Sequence, residues 1–198
     1  MRTRLNPKQL LIGPDRVQIQ DLEKGFDLGR RFDLVISLEV AEHLSAAAAE
    51  RFIASLTRHG PAVLFSAAIP FQGGHHHVNE QFLPYWAELF ARHGFRPLDI
   101  LRARLWNDSE ILWWLRQNIV LFAHDGLIAA NETLQREADA ARLRGPLSVV
   151  HPDVYLTRMQ QAGQRLADFA KLRRALGQGG TFKIAVGPKG ELNISRAK

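Results

Sequence analysis

Two nearly continuous apolar runs, Phe32–Leu38 and Ala62–Ala68, stand either side of one helix-length segment. A strand that is apolar at almost every position has no solvent face, so it belongs in a sheet covered on both sides. Between the runs, Ser45 precedes a stretch of four alanines. Phe52, Ile53 and Leu56 then fall on one helical face, and Gly60-Pro61 supplies a stop. Strand, helix and strand with short connections make a βαβ unit, which predicts an α/β fold with a parallel sheet.

The flanking segments extend this pattern. Residues 17–22 alternate apolar and polar as a short strand does. After a loop rich in Pro, Gly and His (69–80), Pro84 can open a helix whose buried stripe is Tyr85, Trp86, Leu89 and Phe90. Residues 96–104 and 118–123 read as strands, and the short span between them makes them antiparallel neighbours. Asn107-Asp108-Ser109 is a turn or helix-start signal. Helices are expected over 127–143 and 152–176, and a hairpin over 181–195 around Gly187-Pro-Lys-Gly190. The predicted division is a domain over 1–125 and a helical, basic extension over 126–198.

The stretch Phe32-Asp-Leu-Val-Ile-Ser-Leu-Glu-Val-Ala-Glu-His-Leu44 resembles the fourth strand and following loop of class I S-adenosylmethionine-dependent methyltransferases. Asp21-Leu22 resembles the end of that family's third strand, where the adenine ring is met. Gly73-Gly-His-His-His-Val-Asn-Glu-Gln-Phe82, Tyr85-Trp-Ala-Glu-Leu-Phe90 and Trp113-Trp-Leu-Arg-Gln-Asn118 are similar to later blocks of one branch of the family, in the same order. The resemblance covers roughly residues 5–124. It implies a Rossmann-like, mostly parallel sheet with an antiparallel C-terminal strand. It also implies S-adenosylmethionine as cofactor and a small-molecule or carbohydrate-type acceptor, methylated on oxygen.

In doubly wound sheets ligands bind beyond the carboxyl ends of the strands. On that rule and the resemblance, Asp21, Leu22, Leu38, Glu39 and Glu42 are the expected cofactor-binding residues. Phe71, His75, Asn79 and Trp106 are the expected substrate-binding residues. Methyl transfer is an in-line displacement that holds donor and acceptor in contact and uses a base for the acceptor's proton. His43 and His77 are the expected bases, since histidine titrates near neutrality. His75-His76-His77 with Glu80 does not read as a metal site. Adjacent residues of an extended loop point in opposite directions, and no helix fixes their spacing.

One part of the family pattern is missing. The first strand, its glycine-rich turn and the acidic end of the second strand should precede Asp21, yet the 20 residues there hold one glycine, Gly13, and no G-x-G. The expectation is therefore a chain lacking the first strands, an N-terminally truncated reading of a longer protein with weak or absent cofactor binding. The sheet gap could instead be met by the third strand pairing with the fourth, or in part by Leu5–Ile12.

Charge and composition narrow the partners. The net charge is +6, but residues 1–154 carry 17 basic and 18 acidic side chains and residues 155–198 carry 9 and 2, so the excess belongs to the tail. A basic tail invites nucleic acid, but residues 158–174 offer no aromatic stacking platform and read better as a solvated face. The stripe Tyr155, Met159, Ala162, Leu166 and Phe169 can pack on the domain or on a second subunit, so a homo-oligomer through the 152–176 helix is expected. A second functional reading is thus a non-catalytic remnant acting as an interaction module through 127–198. With no Cys, thiol catalysis and Cys-ligated zinc are excluded. No apolar run approaches membrane-span length and Met1-Arg2-Thr3-Arg4 leads into no signal core, so a cytoplasmic protein without a membrane partner is expected.

Overall fold

The computed structural model describes residues 11–141, 146–179, 181–187 and 191–196. Its centre is a sheet of β1 (Val35–Leu38), β2 (Ala62–Ser66), β3 (Phe95–Leu98) and β4 (Val120–His124), in the spatial order β1-β2-β4-β3. β1 and β2 pair in parallel, Val35 opposite Val63 through Leu38 opposite Ser66. β4 runs antiparallel to both of its neighbours. The fold is α/β as expected, but the sheet is mixed rather than mostly parallel. Because β4 inserts between β2 and β3, both of its pairings are antiparallel and only one parallel pair remains. The expected antiparallel pairing of β3 with β4 is present.

Helix α1 (Ala46–His59) connects β1 to β2 and buries Phe52, Ile53 and Leu56. Gly60 stops it as expected. A Cβ there would stand 2.8 Å from the Phe32 carbonyl, an approach only glycine permits. Helix α2 (Leu83–Ala91) lies beside α1 and buries Trp86, Leu89 and Phe90, with Pro84 in its first turn. The side chains of Val63, Phe65, Val120 and Phe122 meet these helices on one face of the sheet. Phe90 stacks on Phe122 at 3.9 Å between ring centres, and Phe65 meets both edge-on. Each buried aromatic contributes roughly 1.5–3 kcal/mol of transfer free energy.

After β3 come α3 (Arg102–Leu105) and α4 (Trp113–Asn118), which lead into β4. The opposite face of the sheet is covered by α5 (Asp125–Ala129) and α6 (Glu132–Ala141), where Ile128 and Ala138 pack on Leu98 and Ala123. Part of the segment expected as an extension therefore packs on the sheet, and the single helix expected over 127–143 is two. This cover stops short of β1, whose Ile36 is 61% exposed. β1 was expected to be buried on both faces; it is an edge strand with one face open. Helix α7 (Pro152–Gly177) follows, and β5 (Phe182–Val186) and β6 (Leu192–Arg196) form the expected hairpin.

Two expectations near the N-terminus fail. Residues 17–22 pair with no strand: they run extended into a 3-10 turn, Leu22–Lys24, which is tied to the start of α1. Glu23 accepts from the Ser45 amide and hydroxyl, both at 2.7 Å, so the third-strand segment docks on a helix instead of extending the sheet. Those bonds hold the Glu23 carboxyl below its usual range. Ser45 occupies the N-cap position but spends its hydroxyl on Glu23, not on the helix. Leu5–Leu10 of the proposed gap filler lies outside the described residues, and Leu11 and Ile12 pair with no strand. The strand expected over 96–104 ends at Leu98, because the chain turns into α3.

Candidate functional site

The carboxyl ends of β1 and β2 carry a group of buried polar side chains, among them Glu42, Ser66, Gln72 and Asn79, with Gln117 and Asn118 joining them. Directly after β1, Glu39 adopts φ 52°, a left-handed conformation that costs a non-glycine residue energy. Its amide donates to the Ser66 carbonyl at 3.0 Å, extending the parallel pairing past the strand end. Its carboxylate accepts from Gln72 Nε2 at 3.0 Å and from Asn118 Nδ2 at 3.2 Å. Asn118 Nδ2 also reaches Gln72 Oε1 at 2.8 Å, and Gln117 Nε2 reaches Asn118 Oδ1 at 2.8 Å. Gln117 Oε1 in turn accepts from the His151 amide at 2.7 Å, at the start of α7. One network of side-chain amides thus joins the loop after β1, the loop after β2, the end of α4 and α7.

The turn Ala41–His43 holds the second group. Glu42 is fully buried, and neither carboxylate oxygen has a hydrogen-bond partner among the described residues. Its main-chain carbonyl accepts from the amides of Val78 and Asn79, which fastens the histidine loop over it. Burial pushes the Glu42 carboxyl up to about 7, and the nearby charge of Glu39 adds to the rise. The approach of the Glu39 carboxyl favours the protonated form and the amides of Glu42 and Ala68 oppose it, none of them at normal hydrogen-bond geometry.

His77 lies against this acid. Its Nε2 is 4.0 Å from Glu42 Oε1, and its Nδ1 is 2.9 Å from Glu80 Oε1. Glu80 also accepts from the amides of Phe71 and Gly73, so it pins both ends of the loop. With Glu80 accepting from Nδ1, the other ring nitrogen, Nε2, faces Glu42. His43 meets the His77 ring edge-on at 4.9 Å, and its Nδ1 is 3.3 Å from the His76 carbonyl. Gly74 underlies the His77 ring closely enough that any Cβ would collide with it.

The expected site residues divide into those the fold gathers and those it separates. Glu42, His43 and His77 come together, Glu39 lies near Glu42, and the buried Asn79 donates its main-chain amide to the Glu42 carbonyl. Leu38 is half-buried at the end of β1. Asp21 is exposed and pairs with Lys24 at 3.4 Å, while Leu22 packs against the core, so this pair serves a turn. Phe71 (85% exposed, φ 65°) and His75 sit on the outside of the loop. Trp106 packs on His151 at 4.6 Å, and its carbonyl accepts from Arg116. Those contacts place it under the start of α7, away from the histidines. Trp86 is core, as expected.

Sequence reading missed Gln72, Glu80 as an anchor, Gln117 and Asn118. The Trp113–Asn118 block was singled out, but amides carry no spacing signal, and their partners lie up to 79 residues away. Beside the network, Trp86, Arg102, Asn118 and Leu147 help line a cavity of ≈ 10 Å³, about the size of one water. No helix among the described residues is long and apolar enough to cross a membrane. No protein-family description matches the chain, and comparisons with curated proteins and with solved structures found no similar protein.

Proposed function

We propose that the chain belongs to an S-adenosylmethionine-dependent methyltransferase and contributes the acceptor side of its site, for methyl transfer to oxygen of a small-molecule or carbohydrate-type acceptor. The observation that carries this reading is the meeting of Glu42, His43 and His77, with Glu39 near Glu42, where β1 and β2 end, the edge at which α/β sheets take ligands. The acceptor oxygen attacks the methyl carbon as the methyl–sulfur bond breaks. The oxygen's proton passes to an imidazole, and Nε2 of His77 is oriented for this by Glu80. Glu39 is clamped by Gln72 and Asn118, as suits a carboxylate that receives hydroxyl groups.

Weak or absent binding of S-adenosylmethionine by these 198 residues is part of this proposal, since the residues before Asp21 in this sequence hold no G-x-G. Calorimetry with S-adenosylmethionine tests that part, and micromolar binding overturns it. Transfer of labelled methyl, at millimolar cofactor, to a panel of hydroxylated small molecules and sugars tests the activity. Slow transfer that His77→Ala abolishes is expected; no transfer to any acceptor favours the second reading.

The second reading is an interaction module that self-associates through α7. Tyr155, Met159, Ala162, Leu166 and Phe169 follow one another at alternating spacings of four and three, the seam of a coiled coil, and Leu176 returns to it after Arg173. Leu166 is 71% and Phe169 65% exposed, so this chain leaves the seam unburied. Light scattering separates the readings, because a second copy on α7 doubles the mass.

A further inference from the structure

We infer that Glu42, His43 and His77 form a binding site for one divalent transition-metal ion of the zinc class. The ligand atoms of these three side chains lie within 4.8 Å of one another. A tetrahedral zinc with bonds of about 2.0–2.2 Å holds its ligand atoms about 3.3–3.6 Å apart, so the Glu42–His77 separation of 4.0 Å has to close by about half an ångström on binding. His43 is the exposed member of the set. One carboxylate with two imidazoles is a donor set of catalytic zinc sites, with a further position left open to solvent or substrate.

The independent observation is Glu42 itself. A fully buried carboxyl with both oxygens unpartnered is costly in a finished core, and a bound cation is what satisfies it. The surroundings are prepared in the same sense. Glu80 takes the Nδ1 proton of His77, and the His76 carbonyl stands against Nδ1 of His43. Both Nε2 lone pairs are thereby left for an ion, the outer-shell arrangement that orients histidine ligands. Adjacent histidines of the loop cannot converge, and they do not: His75 and His76 face solvent, while His77 joins residues from the other loop. Nitrogen donors select zinc over magnesium.

This inference does not rest on the methyl-transfer reading but competes with it for one lone pair: with the ion in place, Nε2 of His77 is a ligand and not the base. The test is calorimetry of the tag-free, chelator-treated full chain with Zn2+ and Mg2+, without S-adenosylmethionine. One Zn2+ per chain at micromolar affinity or tighter is expected, with no Mg2+ binding. His43→Ala, at an exposed position, should weaken zinc more than about tenfold, and Glu80→Gln by about 10–100-fold. His75→Ala/His76→Ala should leave it unchanged. Thermal melts give a second readout: Zn2+ should raise Tm of the parent chain but not of His43→Ala. Absence of zinc binding, or binding lost in His75→Ala/His76→Ala and kept in His43→Ala, overturns the site. A chain that binds zinc but transfers no methyl group keeps this inference and loses the previous one.

Discussion

Asn118 donates from its side-chain amide to the Glu39 carboxylate at 3.2 Å, across 79 residues of sequence. This bond fastens the strained residue after β1 to the residue two before β4, beside which β2 runs antiparallel. Asn118→Ala removes a donor from the half-buried Glu39 carboxylate and from the buried Gln72 amide oxygen, and should cost about 1–3 kcal/mol. Asn118→Asp should cost more, because it sets a second carboxylate against Glu39. Urea unfolding of the two variants checks the order.

Glu42 makes stability depend on pH in a sense opposite to that of most carboxylates. Its folded value of about 7 lies above the ordinary 4.5. The contribution is therefore complete below 4.5 and is lost as pH rises through 7. In metal-free protein this amounts to about 3 kcal/mol. Glu42→Gln keeps the shape without the charge, so the difference in unfolding free energy between parent and variant should change by that amount from pH 4.5 to 8. A difference that is flat with pH would refute the buried-acid account.

Phe122 lies in the middle of the aromatic group, stacked on Phe90 and edge-on to Phe65. Phe122→Ala opens a cavity between β4 and α2 and should cost about 3–5 kcal/mol. Phe122→Leu should cost much less. Thermal melts with matched denaturant titrations distinguish them.

Ile36 lies on an edge strand and presents its side chain to solvent. Ile36→Lys removes little buried area, so stability should change by less than about 0.5 kcal/mol. The same lysine blunts an unpaired edge, and turbidity on warming should fall relative to the parent.

Leu166 and Phe169 lie on the open seam of α7. If a second copy covers that seam, Leu166→Glu/Phe169→Glu should halve the mass seen by light scattering and leave the Tm of the sheet domain unchanged. A parent chain that is already monomeric removes the self-association reading.

Much of this architecture was legible in the chain. The apolar runs of β1 and β2, the Ser45 and Gly60-Pro61 limits of α1, the stripe of α2 and the extent of α7 all follow from local periodicity and punctuation, which act over a few residues. The short span between β3 and β4 dictated their antiparallel pairing. The edge residues Glu39, Glu42 and His43 were also visible, since they follow directly on a strand.

What only the tertiary structure decided depends on distant groups. Periodicity cannot say that β4 enters beside β2, nor that the α5–α6 cover stops before Ile36. The alternation at 17–22 suits a strand, but Glu23 found Ser45 and the segment docked on α1 instead. The histidine loop looked unable to converge because neighbours alternate in direction. Convergence came from the other loop, once Val78 and Asn79 donated to the Glu42 carbonyl and brought His77 against a buried acid. Burial, which sets the charge of Glu42, belongs to the packed chain, because desolvation is produced by every group around the carboxyl together.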